Sequence, residues 1–193
     1  PELQKAMMTS IFDYSLSGRW TKPFAAHDLG QYPRANKQVY GGDMPLEEAG
    51  NMITLAAMIS KLDGNTTYVN KYWDILKIWT DYLVENGQDP ANQLCTDDFA
   101  GHWAHNANLS VKAIMGVAGF AEMAAIKGDK ATADKYMAIA KEMGAKWEQT
   151  ARDGAHYRLA FDRNNTWSQK YNMVWDKLWR TNVFPNNAMQ KEI

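Results

Sequence analysis

The sequence is short of cysteine, of net charge and of long apolar runs, and each shortage excludes a class of protein. One cysteine in 193 residues cannot form an internal disulfide framework. Lys and Arg total 21 and Asp and Glu total 22, and no basic run occurs, so the charge favours neither nucleic acid nor an anionic membrane. No uninterrupted apolar run approaches the roughly 18 residues that span a bilayer. We therefore expect no nucleic-acid partner and no membrane span.

The start of the chain predicts a piece of a larger protein. It begins at Pro1, without an initiator Met or a signal peptide, and enters helical sequence at once. A chain of 193 residues fits one domain, and 46% hydrophobic residues are enough for a core. We expect residues 1–193 to form a single domain, a fragment of a larger one. Its apolar flanks should bind the remainder of its own chain or a second copy.

Apolar periodicity predicts about six helices separated by two kinds of connection. They cover about residues 3–17, 43–62, 66–85, 108–127, 130–151 and 168–179. Short glycine turns at 63–65 and 127–129 pair the second helix with the third and the fourth with the fifth, whereas long polar loops precede each pair. If the pairs pack side by side, all long loops fall on one face. This pattern predicts an all-α fold of helical hairpins of the (α/α)6 toroid type, here a partial toroid with its site on the long-loop face.

The loop from residue 89 to 108 carries the densest group of chemically active side chains. It contains the adjacent carboxylates Asp97 and Asp98, together with His102 and His105, and its aromatic residues argue against disorder. Either aspartate could act as a general base if burial or the neighbouring charge raised its pKa. The alternative is that both carboxylates cap the backbone and tie the loop down.

A second acid candidate is Glu48, at the start of the second helix. It continues the apolar stripe of Met52 and Leu55, so its carboxylate should point inward, and a buried charge needs a reason. An inward acid at this end suits a toroid site. The alternative is a first-turn carboxylate that the helix dipole favours.

The remaining candidates are substrate-binding groups on the same face. His102 and His105 could orient a substrate or a carboxylate, but their spacing is weak evidence for zinc, so we expect neither a metal nor a cofactor. Asn106 could donate to a developing oxyanion. Lys170 could supply a positive charge for the substrate.

Two further features concern the first and last long loops. His27 and Asp28 precede a glycine on the long-loop face, where they could bind substrate or anchor the loop. Trp167, Tyr171 and Trp175 stand at helical spacing, which predicts a core stripe in the sixth helix.

Several stretches are similar to the glutaminase A family of bacteria and fungi, and in particular to its six-helical-hairpin domain. They are His27–Pro33, Met44–Met52, Trp79–Leu83, Gln93–Ser110 and Thr166–Asn172, and the resemblance covers nearly the whole chain. It implies an (α/α) toroid related to those of six-hairpin glycosidases, hydrolysis of L-glutamine to L-glutamate and ammonia, and an extracellular or periplasmic location. Asn51, within the second stretch, becomes a substrate-binding candidate. No catalytic assignment is carried over from the family.

Three hypotheses follow from the sequence. The first is a glutaminase A-like hydrolase with catalytic and substrate-binding residues drawn from the sets Asp97, Asp98 and Glu48, and His27, Asp28, Asn51, His102, His105, Asn106 and Lys170. The second is a six-hairpin glycosidase in which Glu48 and Asp98 form the acid pair, about 5–5.5 Å apart if retaining or about 6.5–9.5 Å if inverting. The third is a non-catalytic scaffold segment of a larger enzyme.

Overall fold

A computed structural model describes residues 1–95, 101–185 and 187–192. In this part of the chain the regular secondary structure is almost entirely helical, with almost no strand, which confirms the all-α prediction. The helices are α1 (Glu2–Leu16), α2 (Pro45–Asp63), α3 (Trp73–Asn86), α4 (Ala107–Lys127), α5 (Lys130–Ala151) and α6 (Val174–Trp179). Short 3-10 turns precede α3 and α6, at Val69–Tyr72 and Tyr171–Met173, and a third covers Met189–Glu192. The strands β1 (Arg152–Asp153) and β2 (His156–Tyr157) form a small antiparallel hairpin.

Helices α2 and α4 lie side by side and run in the same direction. Near their N-terminal ends, a Cβ on Gly50 would stand 2.7 Å from Cγ of Lys112. Near their C-terminal ends, Lys61 forms an ion pair with Glu122. Residue numbers therefore rise together along the contact, as they do for adjacent inner helices of a helical-hairpin toroid.

Helices α3 and α5 pack against this pair after short reversals of the chain. The ring of Tyr136 in α5 lies 5.0 Å from that of Phe120, and Trp147, further along α5, donates to the Ala107 carbonyl at 2.8 Å. Increasing numbers in α5 thus meet decreasing numbers in α4, so the two helices are antiparallel. Trp73 at the start of α3 contacts the same Phe120 ring. The glycine turns close these two hairpins as the sequence predicted.

Helix α4 is the centre of the core. It is rich in Ala and Gly, and small residues let neighbouring helices approach closely: a Cβ on Gly116 would stand 2.6 Å from Cδ1 of Leu83. Among the described residues, α4 is also the single helix long and apolar enough to cross a membrane. However, 83% of that window is buried inside the protein, and a buried core helix meets the same criterion, so this is weak evidence for a span.

The described parts of the three long loops, residues 17–44, 87–95 with 101–106, and 152–170, lie at the same end of the hairpins. Gln93 in the second loop accepts a hydrogen bond from the Leu46 N–H at the start of α2, at 3.0 Å. The first residue of α4, Ala107, donates to the Leu159 carbonyl of the third loop at 2.9 Å. Phe24 of the first loop packs on Tyr82 near the end of α3. These contacts confirm the prediction that all long loops share one face.

The predicted core stripe of the sixth helix is wrong at its first residue. Trp167 lies outside any helix and is 53% exposed, whereas Tyr171 and Trp175 are half-buried. The ammonium of Lys170 donates to the carbonyls of Ser168 and Tyr157 at 2.6 and 3.0 Å, which holds this segment in a non-helical conformation. The aromatic residues are spaced as in a helix, but the chain is not helical before the 3-10 turn at Tyr171–Met173. Trp167 is therefore not part of a helical stripe.

Candidate functional site

A buried ion pair joins the N-terminal ends of α2 and α4. Glu47, in the first turn of α2, is 3% exposed and accepts a hydrogen bond from the Lys112 ammonium of α4 at 2.5 Å. The same ammonium donates to Oδ1 of Asn51 at 2.8 Å. Because a charge buried in protein needs partners, this arrangement fixes the lysine, the glutamate and the amide relative to one another.

Glycine at position 50 makes this arrangement possible. The stem of Lys112 fills the space beside it, and Cγ of that stem would stand 2.7 Å from an added Cβ. Any larger residue would therefore push the lysine away from α2. The missing side chain of Gly50 therefore lets α2 and α4 approach closely and also sets the position of the Lys112 ammonium.

Glu48 lies beside this pair as a half-buried carboxyl. Burial raises its pKa above the usual value of 4.5, and the neighbouring charge of Glu47 raises it further. Asn51, whose Nδ2 lies 3.5 Å from Oε2 of Glu48, opposes this rise, as do the charges of His27 and Lys112. A carboxyl whose pKa is raised by burial is better suited than an exposed one to accepting and returning a proton.

A small cavity of about 100 Å³ adjoins the Lys112–Asn51 contact. Its walls are formed by Asn51, Thr54, Leu55, Lys112, Asn172 and Trp175. Asn172 is buried and donates from Nδ2 to Oδ1 of Asn108 at 3.2 Å, so its carbonyl oxygen is the part of the amide left to accept a hydrogen bond. Two asparagines and a lysine thus line a partly enclosed space with one aromatic wall.

His27 and Asp28 lie near Glu48, but their described contacts anchor the first loop. The Asp28 carboxylate accepts from the backbone N–H groups of Gly30, Val39 and Tyr40 at 2.7, 2.9 and 3.0 Å, and it lies 3.0 Å from the His27 ring. Burial works to raise the pKa of Asp28. The hydrogen bonds from His27 and the backbone outweigh it and lower the pKa from 3.8 to about 2.

Asp28→Asn is expected to make the protein less stable at neutral pH by about 1–2 kcal/mol, because an amide replaces a charged acceptor of several donors. The pKa of Asp28 is lower in the folded state, so its contribution is complete above pH 3.8 and is lost as the pH falls toward 2. The stability of the variant should consequently vary less with pH in this window. Thermal unfolding of both proteins between pH 2 and 6 measures this, and parallel curves would show that Asp28 does not anchor the loop.

The other predicted binding residues have partners within the loops. His105 has a positive φ of 63° and lies 2.7 Å from the Asp89 carboxylate, whose hydrogen bond raises the pKa of the imidazole. Asn106 caps α4 by accepting from the Leu109 N–H at 2.8 Å. His102 is exposed. Lys170, described above, bonds two backbone carbonyls, and no described contact links any of these four residues to Glu48. Asp97 and Asp98 lie outside the described residues.

Lys112 and Glu47 are the main members of the cluster that the sequence analysis did not select as site residues. A signal for Lys112 was present, because it is a lone cation within the most apolar stretch of the chain. Glu47 gives a weaker signal than Glu48 because it lies off the apolar stripe, yet the structure buries it more deeply. No group of three or more His, Cys, Asp or Glu side chains positioned to hold a metal occurs in the described ranges.

A larger hollow of about 530 Å³ lies outside this cluster, where the first and second loops meet the end of α3. Its carboxylates include surface groups: Asp43 pairs with Lys22, and Asp89 pairs with His105. Burial works to raise the pKa of Asp43, but its bonds with Lys22 and Gln38 lower it, which does not suit proton transfer. We therefore take the smaller, more enclosed space lined by Asn51, together with Glu48, which Asn51 contacts, as the candidate site in spite of the smaller volume.

Comparison with known proteins agrees with this fold. The family model of the glutaminase A six helical-hairpin domain matches residues 1–193. The chain is 35% identical to glutaminase A of Aspergillus oryzae over 195 residues, which cover 97% of this chain and 28% of that protein. It is 28% identical to a protein named "Probable glutaminase" of Arthroderma benhamiae over 233 residues, covering 89% of this chain and 27% of that protein. The chain thus spans just over a quarter of each curated relative, and it belongs to the glutaminase A six helical-hairpin domain family.

Proposed function

We propose that the protein is a hydrolase that cleaves the side-chain carboxamide of L-glutamine to give L-glutamate and ammonia. The names of its two relatives support this activity. The observation that carries the proposal is Glu48, a half-buried carboxyl with a raised pKa that contacts Asn51, one of the residues lining the small cavity. Glu48 stands near the start of α2, at the end of the hairpins where the long loops lie and where the sequence predicts the site.

In the proposed mechanism, Glu48 is the general base and later the general acid. Its carboxylate takes a proton from a water molecule while the water oxygen attacks the carboxamide carbon. The protonated Glu48 then gives this proton to the leaving nitrogen, and the C–N bond breaks to release ammonia and the new carboxylic acid, which passes its remaining proton to the ammonia to give carboxylate and ammonium. One water molecule is consumed, and Glu48 ends in its starting state. A raised pKa serves both steps because the group must gain and lose a proton near working pH.

The size and lining of the cavity suit a carboxamide. At about 100 Å³ it offers the space of roughly three water molecules, enough for the end of a glutamine side chain. The carbonyl oxygen of Asn172 would accept from the substrate NH₂ group. A site that hydrogen-bonds a polar substrate group discriminates strongly against analogues that lack it.

The proposal also includes the other side chains that the sequence predicts for the site. No described contact joins them to the cluster of Glu47, Glu48, Asn51 and Lys112. Asp97 or Asp98 would supply a second carboxylate, for example to bind the substrate α-amino group. His102, His105, Asn106 and Lys170 would act on the loop face around the bound substrate. Further sequence of the same protein would close the site, and export to the cell exterior or periplasm is part of the proposal.

Ammonia release from L-glutamine by the full-length protein tests the proposed reaction. We expect release from L-glutamine, with kcat/KM at least about tenfold higher than for L-asparagine, which is one methylene shorter. A panel of oligosaccharides, assayed for new reducing ends, is the parallel arm. Sugar cleavage without ammonia release would replace the proposed reaction with that of a six-hairpin glycosidase. Inactivity in both arms would favour a scaffold segment.

A further inference from the structure

We propose that Lys112 is a positioning residue: it fixes the orientation of the Asn51 carboxamide and, through that amide, holds Glu48 in place. The inference rests on the proposed function for its catalytic consequence. Its structural content, a directed chain from Glu47 through Lys112 and Asn51 to Glu48, is independent of the substrate.

The direction of this chain follows from the chemistry of its groups. An ammonium has three donors and no acceptor, so only the oxygen of the Asn51 amide can face Lys112. The observed distance from Nζ to Oδ1 is 2.8 Å. The NH₂ end of the amide must then point the other way, where Oε2 of Glu48 lies 3.5 Å from Nδ2. An asparagine alone could flip its amide, but beside this lysine it presents a donor to Glu48.

Lys112 is itself held in a single position. Its ammonium contacts Glu47 at 2.5 Å, its side chain is 8% exposed, and its stem crosses α2 at Gly50. A rotation of Lys112 away from Asn51 would also separate the Lys112 ammonium from the buried Glu47 carboxylate. Such a separation is strongly unfavourable in a protein interior. The ion pair therefore restricts the Asn51 amide to the observed orientation.

The charges that face Glu48 act in opposite directions. Glu47 is its neighbour in α2, His27 approaches from the first loop, and Lys112 approaches from α4. Glu47 raises the pKa of Glu48, whereas His27 and Lys112 lower it. Removing the Lys112 charge should move the titration of Glu48 to higher pH, and removing the Glu47 charge should move it to lower pH. Such opposite shifts would show that both charges act on Glu48, and the change in kcat then tests whether Lys112 also holds Glu48 in place.

The test compares Lys112→Met, Glu47→Gln and the double variant Glu47→Gln/Lys112→Met in the full-length protein. Lys61→Met is the matched control, because Lys61 also forms an ion pair between α2 and α4 but at the opposite end. Glu47→Gln leaves an acceptor for Lys112 and preserves the Lys112–Asn51 contact. The double variant removes both charges of the pair together, so it should fold even if Lys112→Met does not.

We expect the double variant to lose about 100-fold in kcat relative to Glu47→Gln, the cost of misplacing a catalytic group by about 1 Å. The titration of Glu48, followed by infrared spectroscopy and assigned by subtracting Glu48→Gln, should move upward in Lys112→Met and downward in Glu47→Gln. Lys61→Met should match the parent in both measurements. Equal kcat for Glu47→Gln and the double variant, or an unmoved Glu48 titration in both single variants, would overturn the inference.

The infrared measurement separates failure of this inference from failure of the proposed reaction. If the parent releases no ammonia from glutamine, the proposed reaction fails, but the opposite shifts of Glu48 still test the coupling. If the parent is active and Glu48 titrates alike in all variants, the reaction stands and the positioning role of Lys112 is refuted.

Discussion

Glu48→Gln is expected to lower kcat for glutamine hydrolysis by about 1000-fold without lowering the stability of the protein at neutral pH. General acid–base groups contribute about 10²- to 10⁴-fold, and here one carboxyl is asked to act in both proton transfers. The glutamine side chain placed at position 48 has nearly the same shape as glutamate and can still contact Asn51. It cannot, however, accept the proton of the attacking water. Substrate binding should therefore change much less than kcat.

The expected effect on stability follows from the sign of the pKa change. The pKa of Glu48 is raised in the folded state, so the folded protein binds a proton that the unfolded chain has already lost. Stability accordingly falls as the pH rises from the ordinary value of 4.5 through the folded pKa, so a charged Glu48 destabilises the folded protein at neutral pH. Glu48→Gln removes this charge, and the stability of the variant should therefore equal or exceed that of the parent. For the same reason, the acidic limb of kcat/KM in the parent should lie above pH 4.5.

Glu122→Gln is the matched control for this prediction. It removes one carboxylate from α4 at the far end of the same helix pair, where Glu122 contacts Lys61. We expect it to retain the activity of the parent. Steady-state ammonia assays across pH 4–9, with thermal unfolding of the same samples, provide both readouts. A Glu48→Gln protein that is both fully active and less stable would identify Glu48 as an ordinary structural carboxylate and move the general base to another residue.

The hairpins could be predicted from the sequence because their signals are local. Apolar residues recur at helical spacing, and glycines at 64 and 128 adopt positive φ values of 66° and 86° that end α2 and α4. The shared direction of α2 and α4 then follows from the one short turn and the one long loop that lie between them, because each reverses the chain once. Such features depend on neighbours within a few residues, so one sequence is enough to show them.

The site was only partly predictable because its partners are distant in the chain. Lys112 lies 65 residues from Glu47, and periodicity assigns a lysine to the surface unless a buried acid is known to face it. Asn106 has a structural role that the sequence analysis did not name: its side-chain oxygen is the N-cap of α4, while its role as an oxyanion donor stays a prediction. A short polar residue before an apolar helix has a capping role by default.

The Glu47–Lys112 pair should have the largest effect on stability when one partner alone is removed. Lys112→Met is expected to destabilise α4 by about 3–5 kcal/mol, because it leaves the Glu47 carboxylate buried without its ammonium. Glu47→Leu should cost about the same, since it leaves the ammonium buried instead. The double variant Glu47→Leu/Lys112→Met removes both charges and keeps similar volumes, so it should lie within about 1 kcal/mol of the parent.

Hydrogen exchange of the α4 amides, followed by mass spectrometry, measures this local stability within the full-length protein. Lys61→Met supplies the comparison, since that pair is more exposed, at 29% and 23% for the two side chains, and should contribute about 0–1 kcal/mol. A double variant as unstable as the sum of the single variants would mean that the two residues act independently. Recovery of stability in Glu47→Leu/Lys112→Met, together with the loss of kcat expected for Glu47→Gln/Lys112→Met, would instead show that the ion pair serves the placement of Asn51 and Glu48 more than the stability of the fold.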